Sequence, residues 1–329
     1  MPKVYICDLI EENGITSLRQ KGFEIEINKG GHDLSFENLQ KIFSSCDAVV
    51  TMVYNKIDAK LIKSASKKLK VISNYAVGFD NIDVKEAQKR KIVVTNTPGV
   101  ASESVAEHAF SLIIALNKHL FEADRFVRSG KFSRFDPNLF LSNQLWGQTI
   151  GVIGLGRIGM FVGQIAYGGF RMKVTYFDVK RSEDFELVCN AQYGDVEFVL
   201  KGADIVTIHV PFLPSTHHLI GKRELKLMKN SAILINTSRG PVVDEEALIW
   251  ALREKEIAGA GLDVFEYEPV ISRDLFAFNN VILTPHIASA TRETREKMSE
   301  ITAQNIIDVF DGKEPIGLVK IQLTNSNFP

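Results

Sequence analysis

The sequence predicts an α/β protein built as two doubly wound parallel-sheet domains with a cleft between them. Three observations carry that expectation. The chain has 329 residues, a length that suggests roughly two domains. Short apolar runs alternate with helical stretches almost to the end, the pattern of parallel strands joined by crossover helices. A second alternating series starts at Thr149 with a glycine-rich passage from strand to helix, as in dinucleotide-binding sheets.

The first series justifies its elements in order. Val4–Cys7 reads as a strand and Glu11–Lys21 as a helix that stops at Gly22. Ala48–Met52 and Val71–Ser73 read as buried strands, with the helical Asp58–Lys67 between them. Ile92–Thr95 is a further short strand. After Pro98-Gly99 the texture changes. Ser102–Leu120 reads as a long helix with Ser102 or Ser104 as its N-cap. The second series offers strands at Thr149–Ile153, Lys173–Phe177, Ile205–His209, Ala232–Asn236, Gly261–Val264 and Val281–Leu283, enough for a six-stranded sheet. The last helix, Thr291–Phe310, leads into a tail with no clear role in a sheet.

Composition narrows the function classes. Hydrophobic residues at 45% allow a sizeable core, and a net charge of −1 gives no reason to expect nucleic acid or a membrane surface as a partner. Cys7, Cys46 and Cys189 fit no metal or CxxC spacing and read as reduced thiols. That suits a reducing compartment, so a cytoplasmic location is expected. The N-terminal MPKVYICDLI reads as a first strand rather than a signal peptide.

The cofactor signal is TIGVIGLGRIG (149–159). Gly154, Gly156 and Gly159 fill the GxGxxG pattern. The first permits a tight turn, the second lets backbone approach a pyrophosphate, and the third lets the helix pack on its strand. Arg157 and Ile158 open the helix, whose N-terminus offers N–H groups to phosphates. The next strand ends in Asp178, 19 positions after Gly159, where a carboxylate can accept both ribose hydroxyls and repel a 2′-phosphate. NAD is therefore expected. NADP is also allowed, because Lys180 and Arg181 lie close by.

Three later stretches end strands with reactive side chains. AILINTSRGPVVD delivers Arg239, GAGLDVFEYEP delivers Asp263, Glu266 and Glu268, and TPHIASAT delivers His286. In an open α/β sheet all of them gather at the carboxyl edge that also holds the glycine loop. Arginine offers a planar fork to a carboxylate. Histidine moves a proton near neutral pH, and a carboxylate orients an imidazole. This set suits hydride exchange with a 2-keto acid and needs no metal. His217 and His218 read as neither metal ligands nor acid/base groups, because no carboxylate pairs with them at helical spacing. Glu266 reads as a solvated charge.

Together with NYAVGFDNID (74–83), NTPGVASESVAEHAFSLIIAL (96–116) and NTSRGPVVDEEAL (236–248), these stretches resemble the D-isomer-specific 2-hydroxyacid dehydrogenase family. Their detail is most similar to its glyoxylate/hydroxypyruvate reductase branch. The resemblance implies two Rossmann-like domains. Residues 1–99, completed by 287–329, would bind substrate, and 100–286 would bind NAD. It implies a homodimer formed through the cofactor domain with the 102–118 helix involved. Arg239 would bind the substrate carboxylate and reacting oxygen, His286 would be the acid/base, and Glu268 would hydrogen-bond it. Asp263 would hold the carboxamide or nicotinamide ribose. Thr237 would line the cofactor site, and His209, Val210 and Pro211 would form its wall. Val77 and Gly78 would offer backbone N–H groups to the substrate carboxylate, beside Met52.

Met52 stands where phosphoglycerate-using relatives carry arginine, Val77 where phosphite-oxidising relatives carry lysine, and Glu268 where formate-oxidising relatives carry glutamine. A small unphosphorylated 2-keto acid remains, with glyoxylate or hydroxypyruvate favoured and a D-lactate-type or bulkier substrate as the alternative. A reading from another class is an NAD(H)-sensing corepressor-like binding protein, for which the sequence offers no linker or basic patch. Three departures bear on the pocket. Ala288 and Ser142 stand where relatives usually have glycine, and Phe135 where reductase relatives carry tryptophan. The expectation is that Ala288 alters the turn after His286.

Overall fold

A computed structural model describes residues 1–29 and 34–320. Residues 321–329, the end of the segment expected to complete the first domain, lie outside the described residues. The chain divides into two compact units. One is Met1–Ala101 with the segment from Ala290, and the other is Ser102–Ser289.

The first unit alternates β1 (Lys3–Ile6), α1 (Glu12–Gln20), β2 (Glu24–Ile27), α2 (Phe36–Ser45), β3 (Ala48–Thr51), α3 (Ala59–Ser64), β4 (Val71–Asn74), α4 (Val84–Lys89) and β5 (Val93–Thr95). Its five-stranded parallel sheet has the order β2-β1-β3-β4-β5. Every residue of β3 and β4 is buried, as expected of central strands covered on both faces. β2 is different. Its EIEI leaves both glutamates exposed at the sheet edge, and glutamate is a poor strand former. Side chains of Ser35, Asp58 and Asp83 accept from backbone N–H groups at the starts of α2, α3 and α4, removing donors that helix starts leave unpaired.

The closing helix Arg292–Phe310 belongs to this unit. Met298, Ala303, Ile306 and Ile307 share a core with Val4, Ile6 and Val71. Ser299 Oγ donates to the Glu11 carbonyl at 2.6 Å. The tail beyond this helix does have a role in the sheet. Leu318 bridges antiparallel to Thr95, and Val319 N–H donates to the Val94 carbonyl at 2.9 Å. The tail thus extends the β5 edge, a pairing that apolar periodicity over so few residues does not reveal.

The second unit opens with α5 (Ser102–Asn117) and α6 (Leu120–Arg128). Ser102 and Ser104 lie inside the first turn of α5 and not ahead of it as its N-cap. Then follow β6 (Thr149–Ile153), α7 (Arg157–Phe170), β7 (Lys173–Phe177), α8 (Glu183–Cys189), β8 (Gln192–Tyr193), α9 (Val196–Gly202), β9 (Ile205–Ile208), α10 (Lys222–Leu225), β10 (Ile233–Asn236), α11 (Glu245–Arg253), β11 (Gly259–Leu262) and β12 (Val281–Leu283). The sheet has seven strands in the order β12-β11-β10-β9-β6-β7-β8, all parallel. The six-strand expectation misses β8, a two-residue exposed edge strand. Strand order reverses between β6 and β9, the switch point where such sheets bind ligands outside their carboxyl ends. β11 ends at Leu262, so Asp263 lies just beyond it and not within the strand.

Candidate active site

The glycine loop is built to admit a pyrophosphate. Gly154 adopts φ +96°, and a Cβ there would meet the His209 carbonyl carbon at 2.7 Å and Val210 Cγ1 at 2.8 Å. The loop is therefore pressed onto the wall formed by the chain after β9, and only glycine fits. A Cβ on Gly156 would meet nothing within 4 Å, so this side of the loop is open. Arg157 and Ile158 open α7 there, and no side chain caps the helix. Such a helix start retains N–H donors for an anion. Gly159 is buried beneath it, where a Cβ would stand 2.2 Å from the Gly154 oxygen.

Asp178 follows β7, and its carboxylate is held at this loop. Oδ2 accepts from Leu155 N–H at 2.7 Å and Oδ1 from Lys180 N–H at 3.1 Å. Arg181 turns to Glu186 instead, as a two-pronged pair at 2.8 and 2.7 Å. Hydrogen bonds from Arg181 and then Tyr176 hold the Glu186 carboxyl down at about 2. Two buried polar atoms here have no hydrogen-bond partner among the described residues, His209 Nδ1 and Thr237 Oγ1. Orphaned buried polar atoms are uncommon and need an explanation. Both follow strands at the carboxyl edge, where they fit a polar cofactor. Pro211 continues the wall and is fixed by Thr216 Oγ1, which donates to its carbonyl at 2.7 Å. These residues fit a dinucleotide.

A histidine–glutamate pair suited to proton transfer lies in the same unit. His286 Nδ1 and Glu268 Oε2 are 2.8 Å apart, with about one third of each side chain exposed. Glu268 is itself oriented, because its Oε1 accepts from Phe265 N–H at 2.8 Å. His286 follows β12 in the left-handed region at φ +53°, a conformation that costs a non-glycine residue roughly 1–2 kcal/mol. Asp263 holds it there. Its carbonyl accepts His286 N–H at 2.9 Å, and its carboxylate accepts Ile287 and Ala288 N–H at 2.9 and 2.8 Å and Thr284 Oγ1 at 2.6 Å. Asp263 is 0% exposed. Its carboxylate holds the His286 turn, a structural role in addition to the cofactor contact that the family resemblance implies.

Arg239 follows β10 and starts a 3₁₀ turn, Gly240–Val242. Its Nη1 donates to the Ser238 carbonyl at 2.8 Å, and its own carbonyl accepts from Asn236 Nδ2 at 3.0 Å. The guanidinium therefore stands half-buried at the carboxyl edge of the sheet. In the first unit, Met52, Val77 and Gly78 share one network. Asn81 Nδ2 donates to the Met52 carbonyl at 3.0 Å, Asn74 Nδ2 to the Gly78 carbonyl at 2.8 Å and Asn96 Nδ2 to the Val77 carbonyl at 2.6 Å. The bonds to Val77 and Gly78 fix the 77–78 and 78–79 peptide planes, and Thr97 N–H, donating to the Ala76 carbonyl at 2.9 Å, fixes the 76–77 plane.

Several residues stand differently from expectation. Glu266 is no solvated charge. Its Oε1 lies 2.8 Å from His218 Nε2 and its Oε2 accepts Glu245 N–H at 3.0 Å. His218 thus has a carboxylate partner, 48 residues away rather than at helical spacing. Ala288 needs no left-handed backbone, because the positive φ of this turn falls on His286. Ala288 is buried and donates to Asp263 like any residue with an N–H. Ser142 accepts from Lys118 Nζ at 3.2 Å, and Phe135 is 82% exposed. His108 was not anticipated. Its Nε2 on α5 lies 3.0 Å from Thr284 Oγ1 and 3.4 Å from Asp263 Oδ1. The polar break it makes in the apolar face of a long helix was the available signal.

Residues 110–288 match the D-isomer specific 2-hydroxyacid dehydrogenase family in its NAD binding domain. The glyoxylate reductase of Thermococcus litoralis is 47% identical over 100% of this chain and 99% of its own, and that of Korarchaeum cryptofilum is 43% identical over 100% and 98%. Among solved structures, the NADPH-dependent glyoxylate/hydroxypyruvate reductase of Sinorhizobium meliloti, in complex with NADP and malonate, superimposes with TM-score 0.85 at 30% identity, covering 97% of this chain and 96% of that one. The TT0316 protein of Thermus thermophilus gives TM-score 0.90 at 37% identity over 97% and 100%. A cofactor loop at the switch point, a carboxylate-paired histidine at the same sheet edge and relatives alike over their whole length lead to one conclusion: the chain belongs to the D-isomer specific 2-hydroxyacid dehydrogenase family of NAD-binding oxidoreductases.

Proposed function

We propose that the protein reduces a small unphosphorylated 2-keto acid, with glyoxylate or hydroxypyruvate as substrate and NADH as the preferred reductant. The observation that carries this reading is the 2.8 Å pairing of His286 Nδ1 with Glu268 Oε2. It fixes the ring and leaves Nε2 as the nitrogen that serves the substrate. Gly154, Gly156, Arg157, Ile158, Gly159 and Asp178 hold the pyrophosphate and adenosine ribose, and His209, Val210, Pro211 and Thr237 line the remaining wall. When bound, the nicotinamide supplies the hydride.

His286 Nε2 donates the proton to the carbonyl oxygen, and the product leaves as a 2-hydroxy acid. Glu268 holds the ring through Nδ1 and so sets its orientation for the transfer. Arg239 grips the carboxylate and the reacting oxygen through its planar fork. Met52 is buried in the core of the first unit and supplies no cation at this position, which disfavours a phosphorylated substrate. Asp263 positions the His286 turn.

The test is initial-rate oxidation of NADH and NADPH against glyoxylate, hydroxypyruvate, pyruvate, phenylpyruvate and 2-ketoisocaproate. Glyoxylate or hydroxypyruvate with NADH is expected to give the highest kcat/KM. A clear lead for a bulkier keto acid, or no turnover at all, would overturn the assignment.

The working form in this reading is a cytoplasmic homodimer joined through the second unit. Two observations support it. Cys7, Cys46 and Cys189 are free and buried, which suits a reducing compartment. Phe121, Val127, Phe132, Leu141 and Trp146, on α6 and the segment after it, are each more than half exposed, a concentration of apolar surface that favours a partner. Sedimentation equilibrium should return twice the chain mass. Trp146→Glu with Phe132→Glu should shift it toward one.

A further inference from the structure

His217, His218 and Glu266 lie in the second unit, apart from the proton-transfer pair. Each offers one ligand atom, and the three atoms lie within 4.8 Å of one another. We propose that this cluster is a binding site for a divalent late first-row transition ion such as Zn²⁺. The inference does not rest on the reductase reading.

The local backbone brings the ligands together. Consecutive side chains of an extended chain point to opposite faces. Here His218 takes φ +51°, and the two imidazoles come to lie nearly parallel with centroids 4.0 Å apart. A left-handed histidine is strained, and such strain persists where surrounding contacts impose it. The contacts are present: His218 N–H donates to the Pro241 carbonyl at 2.9 Å and His217 N–H to the Leu213 carbonyl at 3.1 Å.

The carboxylate is prepared in the same way. Glu266 Oε2 is occupied by Glu245 N–H at 3.0 Å, which aims Oε1 at His218 Nε2, 2.8 Å away. The other ring nitrogen of His218 lies 3.9 Å from Asp244 Oδ2. That is an ion-pair rather than a hydrogen-bond separation, and it sets a second carboxylate beside the ring. Two imidazole nitrogens and one carboxylate oxygen suit zinc and its neighbours better than magnesium or calcium. Bonds of about 2.0–2.1 Å in a tetrahedral site set ligand atoms about 3.3 Å apart. His218 and Glu266 therefore separate slightly as the ion replaces the shared proton. His217 is exposed, so its ring can turn out of the stack to complete the set. Water takes the fourth position.

The test is calorimetric titration of the tag-free full chain with Zn²⁺, paired with the visible absorption of bound Co²⁺, which intensifies in a tetrahedral site. One equivalent of saturable binding is expected. His217→Ala should weaken it at least about tenfold, in line with the effect of altering a metal site's surroundings, and Glu266→Gln should do the same. His217 is a surface residue, so this variant keeps its fold, checked by circular dichroism. His286→Ala should bind as the parent does. Absence of saturable binding overturns the proposal. So does binding that survives His217→Ala or disappears in His286→Ala.

Discussion

Asp263 and His286 are joined through backbone rather than through their side chains. The Asp263 carbonyl accepts His286 N–H at 2.9 Å, and its carboxylate accepts the next two N–H groups, those of Ile287 and Ala288, at 2.9 and 2.8 Å. The turn that carries His286 is thus wrapped around one buried carboxylate. Asp263→Asn replaces an acceptor oxygen with an NH₂ group facing backbone donors, which leaves buried groups unpaired at about 1–3 kcal/mol. Turnover should fall about 10- to 100-fold, because displacement of a catalytic group by about 1 Å costs rates of that order. KM for the keto acid should change little.

The same residue predicts an acid response. Burial pushes the Asp263 carboxyl up, but hydrogen bonds from His108, Thr284, Ile287 and Ala288 outweigh it, and the net position is below the ordinary carboxylate value. A depressed folded value stabilises the protein above the unfolded value of about 3.9, and the contribution is lost as pH falls through the folded value. Asp263→Asn should therefore melt lower than the parent at pH 7, with a gap that narrows below about pH 4. A gap independent of pH would detach the carboxylate from the stability of the turn.

His286→Ala should lower turnover by about 10²–10⁴, the usual worth of a general acid/base, with cofactor affinity nearly unchanged. Glu268→Gln replaces a charge-assisted hydrogen bond to the ring with a neutral one, and charge-assisted bonds are roughly twice as strong. Turnover should fall while cofactor affinity is kept. A kcat equal to the parent's in Glu268→Gln would show that the 2.8 Å pair does not orient the acid/base.

Legibility in the sequence followed burial and sequence distance. β3, β4, β9 and β10 are buried runs of apolar residues and could be read directly. β2 and β8 are short, partly or wholly exposed edge strands without an apolar run to mark them. Arg239, Glu268 and His286 stand at strand ends, so topology alone gathers them on one edge. The work of Asp263 was hidden because it binds backbone N–H groups, which have no residue type. The His218–Glu266 pair was hidden by a separation of 48 residues, beyond any local spacing rule.

The contacts of Asp178 and Arg181 predict the cofactor preference. Asp178 occupies the glycine loop, while Arg181 is engaged by Glu186 through two short bonds. The parent should prefer NADH. Glu186→Gln weakens the hold on Arg181 and should raise kcat/KM for NADPH without a matching change for NADH. Asp178→Asn removes a charged acceptor worth about 1.5–3 kcal/mol, or about 10- to 100-fold in NADH efficiency. If both variants left the NADH-to-NADPH ratio unchanged, this pair of carboxylates would not govern the choice.

The burial of His209 has a cost in stability. Its Nδ1 is buried and unpartnered, while Nε2 meets Thr207 Oγ1 at 2.8 Å. Burial pushes the imidazole down to about 3. A depressed histidine has the opposite sign to a paired one. As pH falls below the unfolded value of about 6.5, the unfolded chain takes up a proton that the folded chain refuses. Stability is then lost at about 1.4 kcal/mol per pH unit until the folded value is reached. Between pH 7 and 5 this amounts to about 2 kcal/mol. His209→Asn cannot take up that proton in either state, so its urea midpoint should fall less than the parent's over that interval. NADH at saturating concentration should reduce the parent's acid sensitivity if it supplies the missing partner to Nδ1, because a ligand bound only to the folded state stabilises it. Equal pH slopes for parent and variant would remove His209 as the cause.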